Sequence, residues 1–224
     1  MADYYEQEAF NPYATEFADN PESRCPCLLI LDTSGSMQGE PIRELNQGLI
    51  TLREELLEDD LASKRAEIGV ISFGPVIPER DFTTVEQFDP PELKAAGTTP
   101  MGEAIEHGIE RIKQRKETYK QAGVGYYRPW IFLITDGAPT DSWKRAASLV
   151  REGEDDGSFA FFAIGVKGAR MDVLEQIAAR QPRKLQELHF RELFQWLSAS
   201  LKAVSHSRVG EKVGLPETTG WEAV

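Results

Sequence analysis

Cysteine is nearly absent from this chain, and the two that occur, Cys25 and Cys27, stand one residue apart. That spacer is too short for an ordinary unstrained disulfide, and two thiols with no further Cys and only distant His residues make a poor zinc site. The expectation is a pair of reduced thiols at the start of a strand, in a reducing cytoplasm. Nowhere do about 18 apolar residues run together, and the opening MADYYEQEAF has no basic n-region and no apolar h-region. Neither secretion nor a membrane span is expected. Positive charge is also in deficit: 25 Lys and Arg face 37 Asp and Glu, for a net charge of -12. Nucleic acid and anionic membranes are bound mainly through Lys and Arg, so both are excluded as partners. The three histidines, His107, His189 and His206, have no acid-base pattern around them. There is no G-x-x-x-x-G-K-[ST] loop and no G-x-S-x-G elbow, and Gly123-Val124-Gly125 lacks the third glycine of a dinucleotide site.

What is present is an alternation of strand and helix patterns. CLLIL (residues 27–31) is a continuous apolar run, short enough for a buried strand, and it stops at Asp32. After the loop DTSGSMQGE, Pro41 suits a first helical turn, and Ile42, Leu45, Leu49, Leu52 and Leu56 follow on one face. The acidic run from Glu54 to Asp60 reads as a solvated helix end. EIGVISF (67–73) and residues 76–82 read as a hairpin of two strands joined at Gly74-Pro75, which gives one antiparallel edge. A Gly/Thr loop, AAGTTPMGEAI, leads into a helix lined by Ile105, Ile109 and Ile112. Strands follow at 130–135, 159–166 and 184–188, with helices at 142–150 and 171–178, and a last helix carries Leu193, Leu197, Leu201 and Val204. Strands that are apolar on both faces imply an α/β fold. It is doubly wound, with a mostly parallel sheet of about six strands, one antiparallel edge strand, and helices on both faces. The division expected is a flexible acidic N-terminal arm over residues 1–24, one domain over 25–209, and a C-terminal tail or strap over 210–224.

In such a sheet ligands sit at the carboxyl ends of the strands. Three polar clusters fall there: Asp32-Thr33-Ser34-Gly35-Ser36, Thr98-Thr99, and Thr135-Asp136-Gly137. Asp32, Ser34 and Ser36 offer a carboxylate and two hydroxyls from one tight loop, Thr99 adds a hydroxyl, and Asp136 adds a second carboxylate. An all-oxygen set with no thiol or imidazole suits a hard divalent cation, Mg²⁺ first, with Mn²⁺ and Ca²⁺ as alternatives. Because the hydroxyls are neutral, the ion keeps net positive charge and a water-filled position that a partner's Asp or Glu can take. The aromatics Trp143, Trp196 and Trp221 read as core packing or interface anchors, and Met37, next to the metal loop, as an exposed partner contact.

DTSGSM matches the DxSxS motif of von Willebrand factor A-type domains, GTTPMGEAI resembles their threonine loop, and ITDGAPTD resembles their TDG motif, all in the family's order. The resemblance covers about Cys27 to Ser207. It implies a Rossmann-like fold with a metal-ion-dependent adhesion site (MIDAS), whose coordinating roles carry to Asp32, Ser34, Ser36, Thr99 and Asp136. LLILDTSGSMQGEPI, DFTTVEQFDPPEL and ELFQWLSASLKAVSHSRVG further resemble the TerY-type domains of bacterial tellurite-resistance and stress loci. That resemblance implies partnership with a PP2C-type protein phosphatase and a Ser/Thr kinase-like protein. A non-enzymatic protein-binding module is the reading expected. Its rivals are a metal-dependent phosphohydrolase, which would want a second Asp where Ser34 stands, and a scaffold whose metal is purely structural.

Overall fold

The computed structural model describes residues 16–218 and 220–223. Six strands form one sheet in the order β3-β2-β1-β4-β5-β6, where β1 is Cys25–Asp32, β2 Ala66–Phe73, β3 Ile77–Thr84, β4 Trp130–Thr135, β5 Ala160–Gly165 and β6 Arg183–Lys184. All neighbours run parallel except β3, which pairs antiparallel with β2 at the edge. The hairpin read at Gly74-Pro75 is therefore present. Among the described residues no helix is long and apolar enough to cross a membrane.

Successive strand residues point to opposite faces, so a run apolar throughout feeds two cores. Cys25, Cys27, Leu29 and Leu31 of β1 join Phe132 and Ile134 of β4 on one face. Leu28 and Ile30 join Ile131 and Leu133 on the other. The first face is covered by α1 (Glu40–Leu57) and α6 (Phe190–Ser205), whose stripes Leu45, Leu49, Leu52, Leu56 and Leu193, Leu197, Leu201 are buried together. The second is covered by α3 (Met101–Ala122), α4 (Lys144–Asp155) and α5 (Met171–Ile177). Burial pushes the Cys25 thiol up to about 12 and the Cys27 thiol well above its ordinary value, so both are inert packing residues.

The acidic run after α1 is more than a solvated helix end. Asp59 breaks it, accepting backbone N–H bonds from Leu61 at 3.1 Å and Ala62 at 2.8 Å, and so caps a separate helix α2 (Asp60–Arg65). The same carboxylate meets His206 Nε2 at 2.9 Å. Asp59→Ala is expected to cost about 1 kcal/mol, the usual worth of an N-cap, read as a lowered midpoint in urea.

Residues 1–15 of the acidic arm lie outside the described residues, but 16–24 are docked against the domain. Phe17 is buried between the guanidiniums of Arg24 and Arg115, each 5.1 Å from its ring centroid. The final segment is a strap. Trp221 is fully buried against Trp196 at 5.3 Å, Gln186 N–H donates to the Trp221 carbonyl at 2.7 Å, and Ala223 N–H donates to Lys184 O at 2.8 Å. Periodicity gave no sign of this, because the strap is held by one aromatic and a few backbone bonds. β6 is two residues long, at 183–184, where five were expected at 184–188, and Leu185 next to it bridges Glu222 of the strap.

Candidate metal centre

The strand order reverses between β1 and β4, and a crevice opens at their carboxyl ends. Leu31 pairs with Ile134, which sets Asp32 beside Thr135. The Thr135 hydroxyl donates to Asp32 Oδ2 at 2.5 Å, and Ser34 N–H donates to Asp32 Oδ1 at 2.8 Å. The chain then turns through a short 3₁₀ segment, Gly35–Met37, which brings the Ser34 and Ser36 hydroxyls to 3.0 Å. Ser36 Oγ donates to Asp136 Oδ1 at 2.7 Å. Two carboxylates and two hydroxyls thus converge across residues a hundred positions apart.

Thr99 arrives from the other side. Its loop is tied to the Asp32 loop by Ala96 N–H to Thr33 O at 2.7 Å and Gly35 N–H to Gly97 O at 3.1 Å. Gly97 has φ +75°, and a Cβ there would lie 1.7 Å from Gly74 O, so only glycine permits this approach. Thr99 is then pinned to the loop after β4 by Thr140, through Thr99 N–H to Thr140 Oγ1 at 3.1 Å and Thr140 N–H to Thr99 O at 2.9 Å. A Cβ placed on Gly137 would come 3.2 Å from Thr99 Oγ1 and 3.6 Å from Asp32 Oδ2. The space between those two oxygens exists because residue 137 has no side chain.

Asp32, Ser34, Thr99 and Asp136 are buried, and Ser36 is exposed at the mouth. Burial raises the pKa of both Asp32 and Asp136, against the lowering effect of their hydroxyl donors, and for Asp32 the Asp136 charge adds to the rise. Two buried carboxylates in one oxygen-lined hollow carry charge that a cation would compensate. Among the described residues no three His, Cys, Asp or Glu side chains form a metal-holding cluster. The fit to a metal therefore rests on the hydroxyls as much as the carboxylates, a donor set for a hard ion.

All five residues proposed from sequence are brought to this rim. Met37 is not an exposed contact: it is fully buried under α1, because the 3₁₀ turn aims it into the core. Sequence reasoning also left out residues that hold the site. Thr135 orients Asp32, and Asp141 accepts N–H bonds from Gly102 at 3.0 Å and Glu103 at 2.8 Å, fixing the helix that follows Thr99. A carboxylate placed in the same loop as Asp136, opposite a helix start that lacks its own Ser, Thr, Asp or Asn cap, was the available signal.

The profile of the von Willebrand factor type A domain matches residues 28–196. The chain belongs to this family. Type A domains are in general interaction modules rather than enzymes. An uncharacterized Synechocystis protein, sll0103, is 29% identical over 201 residues, which is 81% of this chain and 44% of the relative. The chain thus spans under half of that relative's length. Among solved structures, the type A fold recurs in proximal thread matrix protein 1 of the mussel byssus, with zinc in its MIDAS motif. That protein is 16% identical with a TM-score of 0.55, and the match covers 81% of this chain and 48% of that one. Manganese-loaded TRAP of Plasmodium vivax is 16% identical with a TM-score of 0.52, covering 77% of this chain and 74% of that one. At these identities the likeness bears on the fold.

Proposed function

We propose that this type A domain holds one divalent cation, Mg²⁺, through Asp32, Ser34, Ser36, Thr99 and Asp136, and uses it to bind another protein. The observations that support the reading are the hydrogen bonds joining Ser34, Ser36 and Asp136, the tie of the Ser34 amide to Asp32, and the space left open by Gly137 beside Thr99 Oγ1 and Asp32 Oδ2. Mg²⁺, when bound, supplies a coordination position that an incoming Asp or Glu carboxylate fills. The chain's own residues do the rest. Asp32 and Asp136 supply the compensating charge, and Thr135 and the Ser34 amide orient Asp32. The neutral hydroxyls of Ser34, Ser36 and Thr99 add donors without adding charge, so the ion retains its pull on a partner's carboxylate.

The role is non-enzymatic: Ser34 stands where a phosphohydrolase would want a second carboxylate, and His189, which borders the crevice, has its Nδ1 2.8 Å from the Gly220 carbonyl. The TerY-type resemblance extends the reading to a cytoplasmic scaffold in a bacterial stress or tellurite-resistance complex, with a PP2C-type phosphatase and a Ser/Thr kinase-like protein as partners. The test is capture from native extract on the immobilised chain, washed with Mg²⁺ and eluted with EDTA. Those two partner classes are expected in the EDTA eluate. An identical set of proteins retained with and without chelator would overturn the metal-dependent reading.

A further inference from the structure

Beside the five oxygens lies a cleft of about 560 Å³ whose lining includes Ser36 and Asp136. A partner segment whose carboxylate reaches a metal held by Ser36 and Asp136 has this cleft beside it. Its walls carry Glu40 and Glu44 from the first turns of α1, Glu187 from the loop before α6, and Lys167 after β5. None of these four side chains has a hydrogen-bond or ion-pair partner among the described residues. Three carboxylates therefore face one ammonium around the entry to a site that is to receive a carboxylate.

That arrangement has an electrostatic consequence. An isolated Asp or Glu on a partner is attracted by the ion but repelled by the walls, and the walls act on everything within a few residues of it. A segment carrying Lys or Arg close to the acidic residue turns the repulsion into pairing. A segment with further acidic residues is rejected, which is how like-charge placement produces specificity. The three glutamates stand on two separate elements that line the same cleft, so pairing is not confined to one helix.

We infer that the cleft selects a zwitterionic protein segment: one acidic residue for the metal, flanked within a few positions by Lys or Arg that pair with Glu40, Glu44 and Glu187. This rests on the metal reading above and adds the identity of the neighbours.

The test uses short Gly/Ser peptides with a single central Asp, flanked by Arg, by Ser or by Glu, and measures fluorescence anisotropy with the full chain in Mg²⁺ and in EDTA. Arg-flanked peptide is expected to bind about ten-fold more tightly than Ser-flanked peptide, with Glu-flanked peptide weakest. All binding is expected to be lost in EDTA and on changing the central Asp to Asn. The double variant Glu40→Lys with Glu187→Lys is expected to invert the ranking. Because the ranking is internal, an overall change in metal affinity does not mimic the inversion. Mg²⁺-dependent capture that ignores the flanking charge overturns this inference alone. Capture of Arg-flanked peptide that survives both EDTA and the Asn change overturns the metal reading and leaves only an acidic groove. No capture of any peptide, with calorimetry showing that Mg²⁺ does not bind, overturns both.

Discussion

Asp32→Asn is expected to abolish the response of this domain to Mg²⁺. With the ion at about 100 times its dissociation constant, the wild-type chain gains about 2.7 kcal/mol of stability by mass action, and the variant gains none. Thermal melts in Mg²⁺ and in EDTA separate the two. The change is nearly isosteric: the side-chain oxygen of Asn still accepts the Ser34 amide, and its NH₂ meets the Thr135 hydroxyl, which turns to accept. The metal-free variant is therefore expected to fold, and to be at least as stable as metal-free wild type near neutral pH. The sign follows from the direction of the shift. Burial holds the Asp32 and Asp136 carboxyls above their ordinary range in the native state. Metal-free native protein therefore binds more protons than the unfolded chain between the unfolded and folded pKa values. These two groups cost stability above that window, and the cost is relieved as pH falls through it. The variant loses the Asp32 share of this slope, and Mg²⁺ reverses it in wild type by favouring the charged forms. An EDTA-sensitive melt in Asp32→Asn would contradict the assignment.

The second large effect is expected at the opposite end of the sheet. Glu67, at the start of β2, is almost fully buried with Arg24; their Nε–Oε1 distance is 3.1 Å. Arg115 reaches both Glu67 oxygens at 2.8 Å, and the Tyr119 hydroxyl donates to Oε2. Burial first, and then the Glu67 charge, push the Tyr119 phenol well up, so it remains a donor. Glu67→Ala leaves two guanidiniums and a phenol without their shared acceptor, and breaking a buried pair from one side costs about 3–5 kcal/mol. It also frees the two cations that clamp Phe17. Urea unfolding is expected to show the loss, while whatever native protein remains at low denaturant keeps its Mg²⁺ response. Loss of the Mg²⁺ response in parallel would mean that the two ends are coupled, against the present assignment. The two variants thus predict opposite signatures, one abolishing metal response at constant fold and the other weakening the fold at constant metal response.

The fold was readable in the sequence where burial is continuous. β1 and β4 are sealed on both faces and β5 at all but Phe162, and an unbroken apolar run is what that environment demands; α1 and α6 show their stripes because each has one solvent side. The metal set was readable because its donors are local triplets placed at strand ends, where topology does the assembly. What was not readable depends on partners distant in the chain. Arg24 looked like part of a loose arm, and its meeting with Glu67, 43 residues on, is what holds its charge in a buried position. Trp221 sits in a segment with no period, and its burial depends on Trp196 and on the backbone at Gln186. Asp59 was concealed among four neighbouring acids, although it alone turns back to cap a helix. Met37 was misplaced because a 3₁₀ turn rotates side chains differently from the loop assumed. Thr135 stood inside a recognised cluster, yet its service to Asp32 is a cross-strand relation set by the register of β1 and β4.

The strap has a mechanical meaning for the binding face. Glu187, Leu188 and His189 line the cleft, the two residues before them seat the strap, and Glu187 has φ +48°. This stretch lies between β6 and α6, held on the inner side by Leu185 N–H to Gly165 O at 2.8 Å and by its own turn bonds, and on the outer side by Trp221, Glu222 and the Gly220 carbonyl. The indole of Trp221 acts as a peg under the lip of the binding face. Whatever lifts that peg alters the grip of the far surface without touching a single metal-binding atom.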